Sequence, residues 1–403
     1  MRCKVWCMAI LAANAAAAAE VDSRTGQIEA DRDAKSSQLS PEETSRLARI
    51  LLRIREDKLP ERFAAGVAGF RVKLGGLVSG SGFAMGPEYL RRDLADGQVM
   101  VRGSAVASFK AYQLYDLELG LPRLAGDRLF LDLYTVHRNY PGINYYGPGP
   151  DSYKTGRSDF RLEDTSYRIK SGVRPFRHMQ LGGLLGYLQV NVGPGTDSRF
   201  VSAEQIYTPS TTPGIDHQSN FLRGGFFAQY DYRDIPGGPR KGGNYLAQWA
   251  QYSDRQFGLY SFRRLDLEAQ QYVPFFNERR VLAFRAKTVL TDAGAGQQVP
   301  FYLQPTLGGS EDLRGFRPFR FYDNNMIALN AEYRWETFSG LDTALFVDSG
   351  KVFHRWENWN LYNLELAYGF GLRFNVQNSV FLRVDVGFSH EGFQVWFKFN
   401  NVF

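Results

Sequence analysis

The chain has 403 residues, 44% of them hydrophobic, 22% charged and 15% aromatic, with a formal net charge of +6. Its mean hydropathy is −0.34, and beyond the N-terminus it has no run of the ~20 apolar residues that a membrane-spanning helix needs, while 31 Phe, 22 Tyr and 6 Trp exclude an ordinary disordered chain. A polar average combined with abundant aromatics and 41 glycines is the composition of a transmembrane β-barrel, which crosses the bilayer with alternating strands.

The first element is a secretory signal over residues 1–19. Arg2 and Lys4 are its charged start, Val5 to Ala13 its apolar core, and Ala17-Ala18-Ala19 its small-residue cleavage site. Cys3 and Cys7, the only two cysteines, lie inside it near its start, where lipidation of a mature N-terminus has no use for them. The exported chain therefore has no disulfide, thiol nucleophile or cysteine-based metal site. Its 46 basic and 42 acidic residues leave a mild excess that does not argue for nucleic acid.

Residues 20–69 form a polar lead-in followed by one amphipathic helix. Ser40-Pro41-Glu42-Glu43 supplies an N-cap, a proline at the first helical position and acids in the first turn. Leu47, Ile50, Leu51 and Ile54 follow at helical spacing and stop before Pro60.

From residue 70 to 403 the period becomes two. In Tyr362 to Val376 the even positions are Tyr, Leu, Leu, Tyr, Phe, Leu, Phe and Val, while the odd ones are polar or tiny. The same alternation puts Leu329, Ala331, Tyr333 and Trp335 on one face and Asn330, Glu332, Arg334 and Glu336 on the other. Sixteen strands are expected, at about 71–78, 80–93, 98–110, 111–122, 128–139, 157–172, 178–192, 220–234, 243–255, 257–273, 278–292, 324–338, 341–353, 361–376, 379–388 and 392–403. The long connections, Tyr140 to Gly156, Gly193 to Ser219 and Asp292 to Asp323, follow the fifth, seventh and eleventh strands. All are odd and so fall on one side, as long external loops and short periplasmic turns require.

The longest connection contains Gly308-Gly309-Ser310-Glu311-Asp312-Leu313-Arg314-Gly315-Phe316. Its Leu313-Arg314-Gly315-Phe316 core resembles the arginine-glycine-aromatic motif in the sixth external loop of the outer-membrane protein 85 superfamily, the BamA/TamA or bacterial surface antigen barrels. Phe346, Asp348 and Gly350 match that family's F-x-D-x-G motif, and Glu332 lies inward on the strand between. The resemblance implies an all-β, 16-stranded antiparallel transmembrane β-barrel with the long loop folded into the lumen. There Arg314 would bond to Glu332 and Asp348, since a planar guanidinium can bridge two carboxylates. It also implies an outer-membrane location, a weak seam between the first and last strands (Gly75 and Gly76 lie in the former), and a role in inserting, assembling or translocating a polypeptide or lipid client. The period-two ending through Phe397 and Phe399 to Phe403 resembles the family's C-terminal assembly signal. The family's periplasmic POTRA modules have no room in residues 20–69, so the POTRA-less branch is expected.

A catalytic centre, a metal site and a cofactor are not expected. His137, His178, His217, His354 and His390 are scattered, and Ser79-Gly80-Ser81-Gly82 lacks the first glycine of a nucleophile elbow, Leu77 standing there. The expected partners are the outer-membrane bilayer and an unidentified client, with no nucleic acid; homo-oligomer formation stays open. The competing reading is a passive porin-like channel for small solutes.

Overall fold

The computed structural model describes residues 67–75, 77–376, 379–401 and 403. The expected signal peptide and amphipathic helix lie outside them. Val67–Gly69 are the first described residues, a tight turn closed by the Val67 and Phe70 backbones.

Sixteen strands form one antiparallel sheet in strict chain order. They are β1 (Phe70–Leu74), β2 (Ala84–Leu94), β3 (Val99–Ser108), β4 (Gln113–Leu124), β5 (Leu129–Tyr145), β6 (Ser158–Val173), β7 (Met179–Pro194), β8 (Phe221–Asp231), β9 (Gly242–Asp254), β10 (Phe262–Phe275), β11 (Arg280–Ala293), β14 (Asn325–Phe338), β15 (Leu341–Phe353), β16 (Glu365–Val376), β17 (Ser379–Ser389) and β18 (Gly392–Lys398). Two short strands, β12 (Thr306–Leu307) and β13 (Phe321–Tyr322), pair with each other inside the long connection.

Burial along these strands is the inverse of a soluble sandwich. On β15, Leu345 and Val347 are 51% and 48% exposed, while Asp342, Phe346 and Asp348 at the alternate positions are buried. On β16, Leu366, Tyr368 and Phe370 are exposed and Ala367 is buried. An apolar surface facing outward and a polar one facing inward make sense only where the outer solvent is lipid. The turns on one side are tight. Ala95-Asp96-Gly97, Ala125-Gly126-Asp127 and Phe276-Asn277-Glu278 each turn through left-handed backbone.

The sheet curls until its edges approach. The rings of Phe83, just before β2, and Phe399, just past β18, lie 5.7 Å apart, and the Lys398 ammonium reaches the Leu77 carbonyl. Among the described residues no backbone ladder joins β1 to β18.

Several strand ends differ from the periodicity. β1 stops at Leu74 rather than 78. β5 runs on to Tyr145, because Ile143 to Tyr145 pair with Ser158 to Phe160 beyond a bulge. β10 begins at Phe262 rather than 257, because the Asp254 carboxylate accepts the backbone N–H groups of Gln256, Phe257, Leu259 and Tyr260 and ties the segment into a turn. β16 begins at Glu365, since Lys351 holds Asn360 and the Tyr362 carbonyl in the preceding loop. The largest correction is at the C-terminus: β18 ends at Lys398, not 403. Asn400 and Asn401 are poor strand residues, and Asn401 bonds to the Phe403 carbonyl instead.

On the side of the long connections the loops share an apolar core. Tyr145 sits against Tyr207, Phe301 and Tyr322, with ring centroids 4.9–5.3 Å away. The hydroxyls find partners: Tyr145 with Thr212, Tyr322 with the Asn144 carbonyl, and Tyr302 with the Ser219 N–H. This end of the curled sheet is filled by packed aromatic side chains.

Candidate functional site: an arginine held against the inner wall

Three cross-strand rows prepare the inner wall. One row runs Asn330, Asp348, Ala367; the next Glu332, Phe346, Gly369, Gly387; the third Arg334, Ala344, Gly371, Asp385, Trp396. Carboxylates therefore flank a strip of Gly and Ala, which opens a hollow in the wall. The glycines are sterically required. A Cβ on Gly387 would overlap the Arg314 carbonyl, and one on Gly371 the Asp385 carboxylate.

The loop between β11 and β14 fills this hollow. Leu307, Leu313, Phe316 and Phe321 pack on Val289, Met326, Ala328, Val352 and Ala367. Gly315 presses so close to β17 that a Cβ would strike the Phe388 carbonyl. Gly350 leaves room for the Leu307 side chain, whose Cδ1 would lie 3.2 Å from an added Cβ.

Arg314 is completely buried, as is Asp348, and Glu332 is 1% exposed. Its Nε and Nη2 donate to the two Asp348 oxygens, both at 2.8 Å, and its Nη1 donates to Glu332 at 2.7 Å. The backbone N–H of Arg314 adds a third bond to Asp348. The guanidinium also lies 3.4 Å above the centre of the Phe346 ring, so the aromatic residue of F-x-D-x-G acts as a cation–π floor. Burial alone pulls the guanidinium pKa down. Asp348 first, then Glu332 and Asp385, more than offset this and hold it above the usual arginine value.

The network extends well past the three residues that the motifs indicated. Arg373 bridges Glu332 and Asp385, Arg334 bonds to Glu332, and Arg383 reaches Asp385 and the Ser310 carbonyl. Trp396 donates its indole N–H to the Arg314 carbonyl at 2.7 Å, and Asn330 bonds to Asp348 and the Asp312 carbonyl. The inward phase of Arg373, Arg383 and Asp385 was legible in the alternation of their strands; their convergence on Glu332 was not.

Of the C-terminal aromatics, Phe397 is 67% exposed on the outer face of β18. Phe399 lies beyond that strand, against Phe83 and Phe381. Phe403 is buried with Tyr272, Val281 and Ala283. The three therefore do not share one strand face. His354 pairs with Asp323 and His390 with Glu365, while Ser79 bonds to Ser310. Among the described residues no cluster of three or more metal-ligating side chains occurs.

The match to an Omp85 superfamily domain spans residues 102–397, most of the chain. The chain belongs to the Omp85 superfamily. Its fold is similar to that of BamA from Haemophilus ducreyi lacking POTRA domains 1–3, with a TM-score of 0.59 at 15% identity over 83% of this chain and 70% of that one. It is also similar to CdiB from Escherichia coli, with a TM-score of 0.57 at 14% identity over 82% of this chain and 62% of that one. A comparison with curated protein sequences gives no match. At such identities the two structures speak for the fold, a BamA-like all-β architecture.

Proposed function

We propose that this Omp85 protein sits in the bacterial outer membrane and assists the insertion, assembly or translocation of a polypeptide there, without a catalytic step or a cofactor. The observation that carries this reading is the unpaired edge. β1 and β18 are only five and seven residues long, and among the described residues no ladder joins them. An unpaired strand offers its N–H and C=O groups to another chain, and an incoming strand can be added there by backbone pairing. The Arg314 network supports the same reading, because it anchors the loop to β14, β15 and β17 and keeps the wall beside the edge in shape. The aromatic packing across the long-loop side speaks against the porin-like alternative, which needs a water-filled path.

The test is to lock the edge. A Cβ built on Gly75 lies 3.4 Å from the Phe399 Cβ, close to disulfide spacing. The Gly75→Cys/Phe399→Cys pair, reconstituted in liposomes, is compared with wild type for folding of a urea-unfolded eight-stranded outer-membrane barrel, scored by heat-dependent gel mobility. Wild type should accelerate client folding over empty liposomes. The oxidised pair should not, and dithiothreitol should restore it. No acceleration by wild type overturns the reading, and large steady solute-selective conductance in planar bilayers puts the channel in its place.

A further inference from the structure

Beside the loop that carries Arg314 lies a cavity of about 530 Å³, bounded by β4, β5, β6, β8, the end of β18, the Leu77–Ser79 segment and Glu311 of that loop. Its charged lining is one-sided. Arg138, Arg168, Arg223 and Lys398 face it, against the single carboxylate of Glu311. Two of these cations are already engaged: Arg138 bonds to Asp164, and Arg168 lies 3.6 Å from Asp132. Glu311 itself is 3.4 Å from Arg383. Arg223 and Lys398 have no carboxylate within 4 Å among the described residues. Arg223 donates to the Ser166 hydroxyl, and Lys398 to the Leu77 carbonyl. The Nε–H groups of both Arg168 and Arg223 are buried without an acceptor.

Several other cations of this interior are matched by acids. Arg102 bonds to Asp116 and Glu118, Arg285 to Glu268 and Asp312, and Arg314 to Asp348 and Glu332. Buried donors without acceptors are costly unless something fills the space. Guanidinium forks around a polar hollow match the several acceptor oxygens of a phosphate group. We propose that this cavity is a binding site for a phosphate group, held by Arg223, Arg168 and Lys398. Its place beside the Phe83–Phe399 edge makes it reachable by the headgroup of an anionic phospholipid entering at that edge, and by a soluble phosphate from the interior. The site is independent of the client-handling reading and would stand if that reading failed.

The experiment is phosphorus NMR on the full chain in detergent micelles, with two probes used separately: inorganic phosphate, and phosphatidylglycerol doped into the micelles. Protein-dependent broadening or shift of either signal is expected. Arg223→Gln/Lys398→Gln should weaken the response at least tenfold. Arg123→Gln/Arg199→Gln removes two charges at exposed side chains and should leave it within twofold. A response confined to the lipid assigns the site to a headgroup; one confined to inorganic phosphate assigns it to a soluble ligand. No response to either probe overturns the proposal, as does equal weakening by both double variants, which would mean general charge attraction. Heat-dependent gel mobility confirms that each variant is folded.

Discussion

Arg314 and Asp348 meet through two parallel hydrogen bonds of 2.8 Å and a third from the arginine's own backbone N–H at 3.1 Å. This fork, planar against planar, pins the loop by its side chain and its main chain at one acid. Neither residue has any exposed surface.

Arg314→Ala should release the loop. The change leaves Asp348 and Glu332 facing each other without this cation, and removing one partner of a buried pair costs about 3–5 kcal/mol. Limited proteolysis should cut between residues 294 and 324 in the variant and not in wild type, with the strands intact by circular dichroism. Arg314→Lys should recover little, because an ammonium cannot form the fork and bridge to Glu332 together. Equal protease resistance of Arg314→Ala and wild type would show that the loop is held by its apolar contacts alone.

Glu332→Gln should be worse than Asn330→Ala on the same strand. Glu332 receives Arg314, Arg334 and Arg373, so its neutralisation leaves three guanidinium groups with less counter-charge in a buried site. A loss of roughly 3 kcal/mol or more is expected, read as a lower temperature of the gel-mobility shift. Asn330→Ala removes neutral-donor bonds and should cost about 1–3 kcal/mol.

Gly387→Ala adds one methyl group where the Arg314 carbonyl already sits. Overpacking of this kind typically costs about 1–3 kcal/mol. Hydrogen exchange at Leu313 to Phe316 should quicken, while β2 to β8 on the opposite wall keep their protection. Unchanged exchange in the loop would mean that the wall gives way instead.

The closely hydrogen-bonded sheet should resist SDS at room temperature and change mobility on boiling. A membrane-impermeant maleimide should label a cysteine at Ser210 or Pro148 on intact cells and should not label one at Gly340. Ser210 and Pro148 are exposed on the side of the long connections, whereas Thr212 in the same connection is buried and makes a poor label site. The reverse labelling would mean that the strand parity is off by one.

The sequence by itself determined the number of strands, their inward and outward phases and the side of the long connections. These follow from period-two alternation and turn chemistry, which are local. It also pointed to Arg314, Glu332 and Asp348, through the resemblance of Leu313–Phe316 and Phe346–Gly350 to the superfamily's motifs and the inward phase of Glu332 on the strand between them. Strand ends were less legible. Asp254 gathers backbone N–H groups that would otherwise continue β10, and Lys351 does the same before β16; neither capture leaves a mark in the alternation. Only the tertiary structure decided that Arg373, Arg383 and Asp385 join the Arg314 network, that Phe346 lies beneath the guanidinium, and that Phe403 leaves the last strand to sit with Tyr272. Those contacts join residues far apart in the chain, and they arise from sheet register and curl, which bring several strands' inward faces to one point that no single strand's pattern encodes.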